Sequence, residues 1–244
     1  MVPLKLIIYG VRRSGNHAIT EWLLHCISGG KPRHCISHRL ITRVDSCYLN
    51  AVNECKSSKE LKIDVDFCTQ TFRNTFITYE DVPLGFDSVG LSCEFKVVII
   101  RDIFNVAASR YRRLCTQGIS WKTKGHYMSI DDGFFNLWIN HALAAAEVNH
   151  NSGYILISFD HWLSSKEYRD SAAFKLRLKN LDCTSTVSHH GGGSSFPGLH
   201  PLPKSRDLKT RVSQVKFPEE IQKRLLADDI SFLRRKLGFT ATLA

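Results

Sequence analysis

Apolar runs alternate with amphipathic stretches along most of the chain, and each run can be assigned a period. Leu4 to Tyr9 is apolar with little alternation, the pattern of a strand covered on both faces. From about Asn16 to Ile27, Ile19, Trp22 and Leu23 fall on one face of a helix, with Asn16 as its expected N-cap. Thr75 to Tyr79 is a short β-prone run stopped by Glu80-Asp81-Val82-Pro83. Phe95 to Ile100, FKVVII, is the strongest strand signal, and after Arg101-Asp102 a helix follows with Val106, Ala107 and Tyr111 on its apolar side. Phe134 to Val148 reads as a helix, with Ala142 to Ala146 supplying propensity. Tyr154 to Phe159, YILISF, is another buried strand, followed by a helical region to about Leu181. A loop of glycine, serine, histidine and proline runs from Ser185 to Ser205, and one amphipathic helix is expected from about Pro218 to Leu237. Cys47 to Asp66 is polar and aperiodic, and is expected as loop and short helix.

Strands alternating with helices predict an α/β fold of three layers, a central mostly parallel β-sheet flanked by helices. No repeat and no composition shift marks a linker, so residues 1–244 read as a single domain. No apolar stretch approaches the roughly 18 residues of a membrane helix. The first basic residues mostly follow the N-terminal apolar run, the reverse of a secretory signal. Eight cysteines are scattered without a C-x-x-C pair, which predicts reduced thiols in a cytoplasmic protein and neither a zinc site nor a disulfide scaffold. The formal net charge of +10 adds a partner: it calls for an anion. Since no long lysine-arginine tail concentrates that charge, a phosphate-rich small molecule is expected before nucleic acid or a membrane surface.

Two segments carry candidate chemistry. IYGVRRSGNHAIT, Ile8 to Thr20, has strand, glycine loop and helix in the order a phosphate-binding loop requires. Gly10 and Gly15 have the ATPase-loop spacing, but Asn16 and His17 replace its lysine and hydroxyl residue, and Arg12 and Arg13 have entered the loop. Backbone amides at a helix start attract anions, and an arginine adds paired hydrogen bonds along a phosphate or sulfonate edge. The second segment, Arg101-Asp-Ile-Phe-Asn-Val-Ala-Ala-Ser109, sets an arginine at a strand end and a serine two turns into a helix, able to bracket another phosphate. Alone, Arg101 reads equally as a strand-end salt bridge with Asp102.

Together, RRSGNH and VVIIRDIFNVAASRY resemble the sulfotransferases that use 3′-phosphoadenosine-5′-phosphosulfate (PAPS). The resemblance implies a P-loop-NTPase-like sulfotransferase fold. It gives the loop residues Arg12, Arg13, Ser14, Gly15, Asn16 and His17 to the 5′-phosphosulfate, and Arg101 and Ser109 to the 3′-phosphate. Asn105-Val106 matches the second motif as well, while Ile103 replaces its usual proline. Asn16-His17 departs from the Thr-Thr of many members. YILISFDHW is similar to a family strand that places an aromatic residue, here Phe159, near adenine. HHGGGSSFPG is similar to the glycine-rich loop that closes over the 3′-phosphate, with Gly191, Gly192, Gly193 and Ser194 as donors.

The implied reaction moves a sulfonyl group in line from PAPS to a hydroxyl or amine, leaving 3′,5′-adenosine bisphosphate (PAP), without a metal. Arg13 and the loop amides would stabilise the transferring group. A base must take the acceptor's proton. The resemblance implies a histidine or glutamate base between the two motifs, which makes Glu80, at a strand end about twenty residues before Arg101, the first candidate and Asp81 the second; adjacent side chains on extended backbone point opposite ways, so only one should face the site. His38 in CISHRL is the leading histidine alternative, and His17 is expected near the transferring group. The acceptor is read as a small molecule, with walls at Ser46 to Phe72 and Gln117 to Asp132 and contacts at Trp121, His126 and Tyr127. Bacterial natural-product members are similar in length. Three rival readings remain: an ATP-dependent P-loop kinase lacking its loop lysine, a basic nucleic-acid-binding domain, and a PAPS-binding relative without activity.

Overall fold

Lys5–Gly10 forms strand β1, whose side chains from Leu6 onward are fully buried, as its uninterrupted apolar run requires. It belongs to a computed structural model that describes residues 4–28, 34–35, 40–43, 46–52, 74–85, 93–123, 126–147, 153–181 and 212–243. Helix α1 (Asn16–Ser28) follows, then strands β2 (His34–Cys35), β3 (Leu40–Arg43), β4 (Ser46–Val52), β5 (Asn74–Glu80) and β6 (Phe95–Ile100). Helices α2 (Ile103–Thr116) and α3 (Asp132–Glu147), strand β7 (Tyr154–Ser158), and helices α4 (Phe159–Ser164) and α5 (Lys166–Lys175) come next. Helices α6 (Glu219–Leu225) and α7 (Asp228–Lys236) complete the described elements. None of the helices among the described residues is long and apolar enough to cross a membrane.

The sheet order is β2-β3-β4-β5-β1-β6-β7. β4, β5, β1, β6 and β7 run parallel, and β2 and β3 join antiparallel at one edge. Helices cover both faces. On one, α1, α4 and α5 close over Leu6, Ile8, Phe76, Val97, Ile99 and Ile157, with Trp22 and Trp162 meeting edge to face. On the other, α2, α3, α6 and α7 enclose Ile100, Phe104, Phe134, Trp138 and Leu233. The α/β architecture with a parallel centre is therefore as the alternation of runs predicts.

Two expectations are corrected. Part of the aperiodic stretch after Cys47 lies in strand β4, which pairs with β5 along its length and with β3 on its other side. Strand formation there follows from the neighbours the sheet supplies, which override a weak local pattern. The C-terminal helix is two helices. Ala227 is extended at φ −60°, ψ 150°, ending one helix and opening the next. Lys223 and Arg224 close α6 and Asp228 and Asp229 open α7, so charges of opposite sign complement both helix ends, and Arg224 spans the break to Asp229 at 2.8 and 3.0 Å.

Candidate anion-binding site

The carboxyl ends of four adjacent parallel strands meet at one end of the sheet, where the connections leaving β1 change direction, the usual ligand crevice of open α/β sheets. β1 delivers the glycine loop, β5 delivers Glu80 and Asp81, β6 delivers Arg101, and β7 delivers Phe159 and Asp160. Register fixes their heights: Gly10 is level with Glu80 on one side and Ile99 on the other.

The loop closes with Ser14 N donating to Val11 O at 3.0 Å, and α1 begins with Ile19 N on Gly15 O at 3.1 Å. Arg13 and Gly15 both have positive φ, +79° and +90°. At Gly15 the constraint is double, because a Cβ there would overlap the Phe159 ring. Gly15 also supplies the first helical acceptor. The Asn16 side chain is not the N-cap expected of it: its Nδ2 donates to Glu80 Oε1 at 2.8 Å and Val11 O at 3.4 Å. The carboxylate brought level with Gly10 takes the amide that would otherwise point back along the helix.

The two motifs touch directly. Arg13 Nε donates to Ser109 Oγ at 2.9 Å, and Arg101 Nη1 donates to the Arg13 carbonyl at 3.1 Å. Arg101 is buried, with its guanidinium 4.8 Å from the Phe159 ring centre and 4.0 Å from Asp160 Oδ1. It does not form the suspected bridge with Asp102. Asp102 instead caps α2 at Phe104 N and takes a two-pronged bond from Arg234, 2.9 Å on each oxygen. Arg234 also donates to the Ala241 carbonyl. Trp138 Nε1 on the Arg101 carbonyl, 2.9 Å, fixes the backbone between them.

Burial, then Arg101 and Arg113, hold the Arg13 guanidinium down at about 10, against the pull of Glu80. Burial also lowers Arg101 and Arg110, and raises the Asp160 carboxyl against the opposing effect of Arg101. A site that crowds guanidiniums together in this way is relieved by a bound anion.

The acidic pair departs from expectation. Asp81 has φ +58°, so the alternation of an extended chain breaks there and both carboxylates turn toward Arg12. Arg12 Nε lies 3.7 Å from Glu80 Oε2 and 3.7 Å from Asp81 Oδ2. Asp81 Oδ1 also accepts from Arg12 N at 2.7 Å and Arg110 Nη2 at 2.5 Å. Glu80 is buried, and His17 Nε2 stands 3.9 Å from its Oε1.

Arg12, Arg13, Ser14, Gly15, Asn16, His17, Glu80, Asp81, Arg101, Ser109 and Phe159 are thus brought together, joined by contacts among themselves and, for Ser14, through the Val11 carbonyl it shares with Asn16. His38, Gly191, Gly192, Gly193 and Ser194 lie outside the described residues. Of the expected acceptor contacts, Tyr127 stacks 4.6 Å from the Arg12 guanidinium and against His126 at 4.5 Å. Trp121 lies with Ile130, Phe135 and Ile221 on a cleft of about 630 Å³, crossed by the exposed Lys122–Glu220 pair. Sequence reasoning missed Arg110, Asp160 and Arg234. Arg110 follows Ser109 on what becomes the buried side of α2, and a charge on an apolar face was its available signal. Compared with protein-family models and with curated proteins, the sequence matches none.

Proposed function

We propose that the chain is a PAPS-dependent sulfotransferase of the P-loop sulfotransferase fold, moving a sulfonyl group to a hydroxyl or amine of a small-molecule acceptor and releasing PAP. The observation that carries this reading is the Arg13–Ser109 hydrogen bond, with Arg101 on the Arg13 carbonyl. Residues 96 and 88 positions apart, from the two motif segments, meet in one cationic cluster.

The residues fit a nucleotide phosphorylated at two places. The loop from Arg12 to His17 offers amides and a helix start for the 5′ end. Arg101 and Ser109 suit the 3′-phosphate, while Phe159, buried between Arg101, Gly15 and Trp162, backs that arginine and leaves no open ring face for adenine. Ser14 Oγ, Asn16 Oδ1 and Arg101 Nε are buried without a hydrogen-bond partner among the described residues, so the cradle retains polar capacity.

When bound, PAPS supplies an activated sulfonyl group whose leaving oxygen stays on the 5′-phosphate. Arg13 neutralises charge gathering at that oxygen, and the loop amides orient the group. Asn16 and His17 stand where an ATPase loop carries its lysine and its magnesium-binding hydroxyl, so this chemistry is read as metal-independent. The acceptor side is formed by Tyr127, His126 and the loop holding them.

Thermal melts with PAP and with ATP-magnesium test the reading. PAP at a hundred times its dissociation constant should stabilise the fold by about 2.7 kcal/mol. Arg101→Ala should remain folded and lose the shift, and Ser109→Ala should weaken it. Stabilisation by ATP-magnesium alone would overturn the proposal.

A further inference from the structure

Beside Arg12 and Asn16 stand a histidine and a buried carboxylate whose roles can be told apart by accessibility. Within the sulfotransferase reading, on which this inference rests, we propose that His17 takes the acceptor's proton and that Glu80 positions the ring. The sequence favoured Glu80 for the proton, but its surroundings oppose that. Its side chain is 5% exposed, its Oε1 already accepts from Asn16 Nδ2 at 2.8 Å, and its Oε2 faces Arg12 Nε at 3.7 Å. Buried to this degree, the carboxylate offers an incoming acceptor hydroxyl little access, although its oxygens retain lone pairs for the neighbouring imidazole.

His17 stands in front of it. The ring is 31% exposed, belongs to the first turn of α1 and directs Nε2 at Glu80 Oε1 across 3.9 Å. At 3.9 Å the two groups approach without a hydrogen bond, and catalytic contacts of this type commonly tighten into one only in the complex. A carboxylate facing Nε2 favours the tautomer with the proton on Nε2, leaving the Nδ1 lone pair available. The order is then acceptor, imidazole, carboxylate, with Asn16 and Arg12 fixing the carboxylate.

The step balances on these groups. As the acceptor oxygen or nitrogen bonds to sulfur, its proton passes to His17 Nδ1. The electron pair of the broken S–O bond remains on the 5′-phosphate oxygen of PAP. The imidazolium, held beside Glu80, returns its proton to water after PAP departs.

The test compares wild type, His17→Gln and Glu80→Gln by three measurements: PAP-induced thermal shift, PAPS breakdown with water as acceptor, and the imidazole N–H resonances of ¹⁵N-histidine-labelled protein with PAP bound. His17→Gln should keep the thermal shift and lower breakdown by about 100-fold or more. Glu80→Gln should keep the shift, lose roughly tenfold in breakdown and move the His17 Nε2–H resonance. Glu80→Asp, which keeps the charge and shortens the reach, replaces the amide variant if that does not fold, and should likewise move the resonance.

Wild-type breakdown no faster than that of His17→Gln overturns the proton-acceptor role. An unmoved His17 resonance in the Glu80 variant overturns the pairing whatever the rates, and a Glu80 loss equal to that of His17→Gln would then name Glu80 as base. Failure of PAP to stabilise the wild type is a different result: it removes the nucleotide reading, and this role with it.

Discussion

Replacing Asp81 by asparagine isolates one charge in the site. Asp81 Oδ1 accepts from the Arg12 amide and from Arg110, whose side chain is 3% exposed. Asparagine keeps that oxygen and tolerates the left-handed backbone at φ +58°, so neither a cavity nor backbone strain is introduced. What disappears is the negative charge beside a buried guanidinium. At an effective dielectric near 20, a pair about 4 Å apart between charge centres attracts by about 4 kcal/mol. The amide oxygen of the variant would still accept hydrogen bonds, so the net loss should be about 2–4 kcal/mol, somewhat less than the roughly 3–5 kcal/mol for leaving a buried charge with no partner. For a chain of this size that lowers the melting temperature by roughly 5–15 °C. Urea unfolding at pH 7 measures the free energy, and Arg110→Met in both backgrounds isolates the coupling. Removing the arginine should cost at least about 1 kcal/mol less once position 81 is neutral. An Asp81→Asn variant within about 0.5 kcal/mol of wild type, or an Arg110→Met effect equal in both backgrounds, would refute the reasoning.

Two further outcomes follow from single positions. His141 is fully buried on α3, with Nε2 2.9 Å from the Val82 carbonyl and Nδ1 lacking a hydrogen-bond partner among the described residues. Burial lowers its proton affinity, so below the ordinary histidine value of about 6.5 the unfolded chain binds the extra proton. Stability should therefore fall with pH there, by up to about 1.4 kcal/mol per unit. His141→Gln should flatten this slope in urea titrations between about pH 7.5 and 5.5, and an unchanged slope would exclude His141 as its source. Gly15→Ala should cost at least about 2 kcal/mol, because a Cβ at φ +90° is strained and runs into the Phe159 ring. An unchanged thermal melt would show that the ring yields freely.

Local pattern sufficed where one strand or helix makes its own case. β1, the glycine loop, α1 and FKVVII are legible because apolar runs and two glycines specify them without help. β4 is not, since its partners on both sides decide it. The division between α6 and α7 turns on the backbone of Ala227, a residue with high helix propensity. At the site, Arg13, Arg101 and Ser109 were legible from motif spacing, but their mutual contact was not. Glu80 and Asp81 were found, yet alternation misjudged them because Asp81 leaves the extended region. Arg110, Asp160 and Arg234 acquire meaning only across 29, 58 and 132 positions of chain.

The clasp of Arg234 on Asp102 bears on how the protein is made. Synthesis at about 5–20 residues per second separates these two by roughly 7–26 s. Through that interval the glycine loop, both acidic residues and Arg101 already exist as nascent chain, while the carboxylate that caps α2 still lacks its cation. The segment from Arg101 to Ser109 therefore acquires its final support late. Completion of the arginine cluster is coupled in time to completion of the helices that lie farthest along the described sequence.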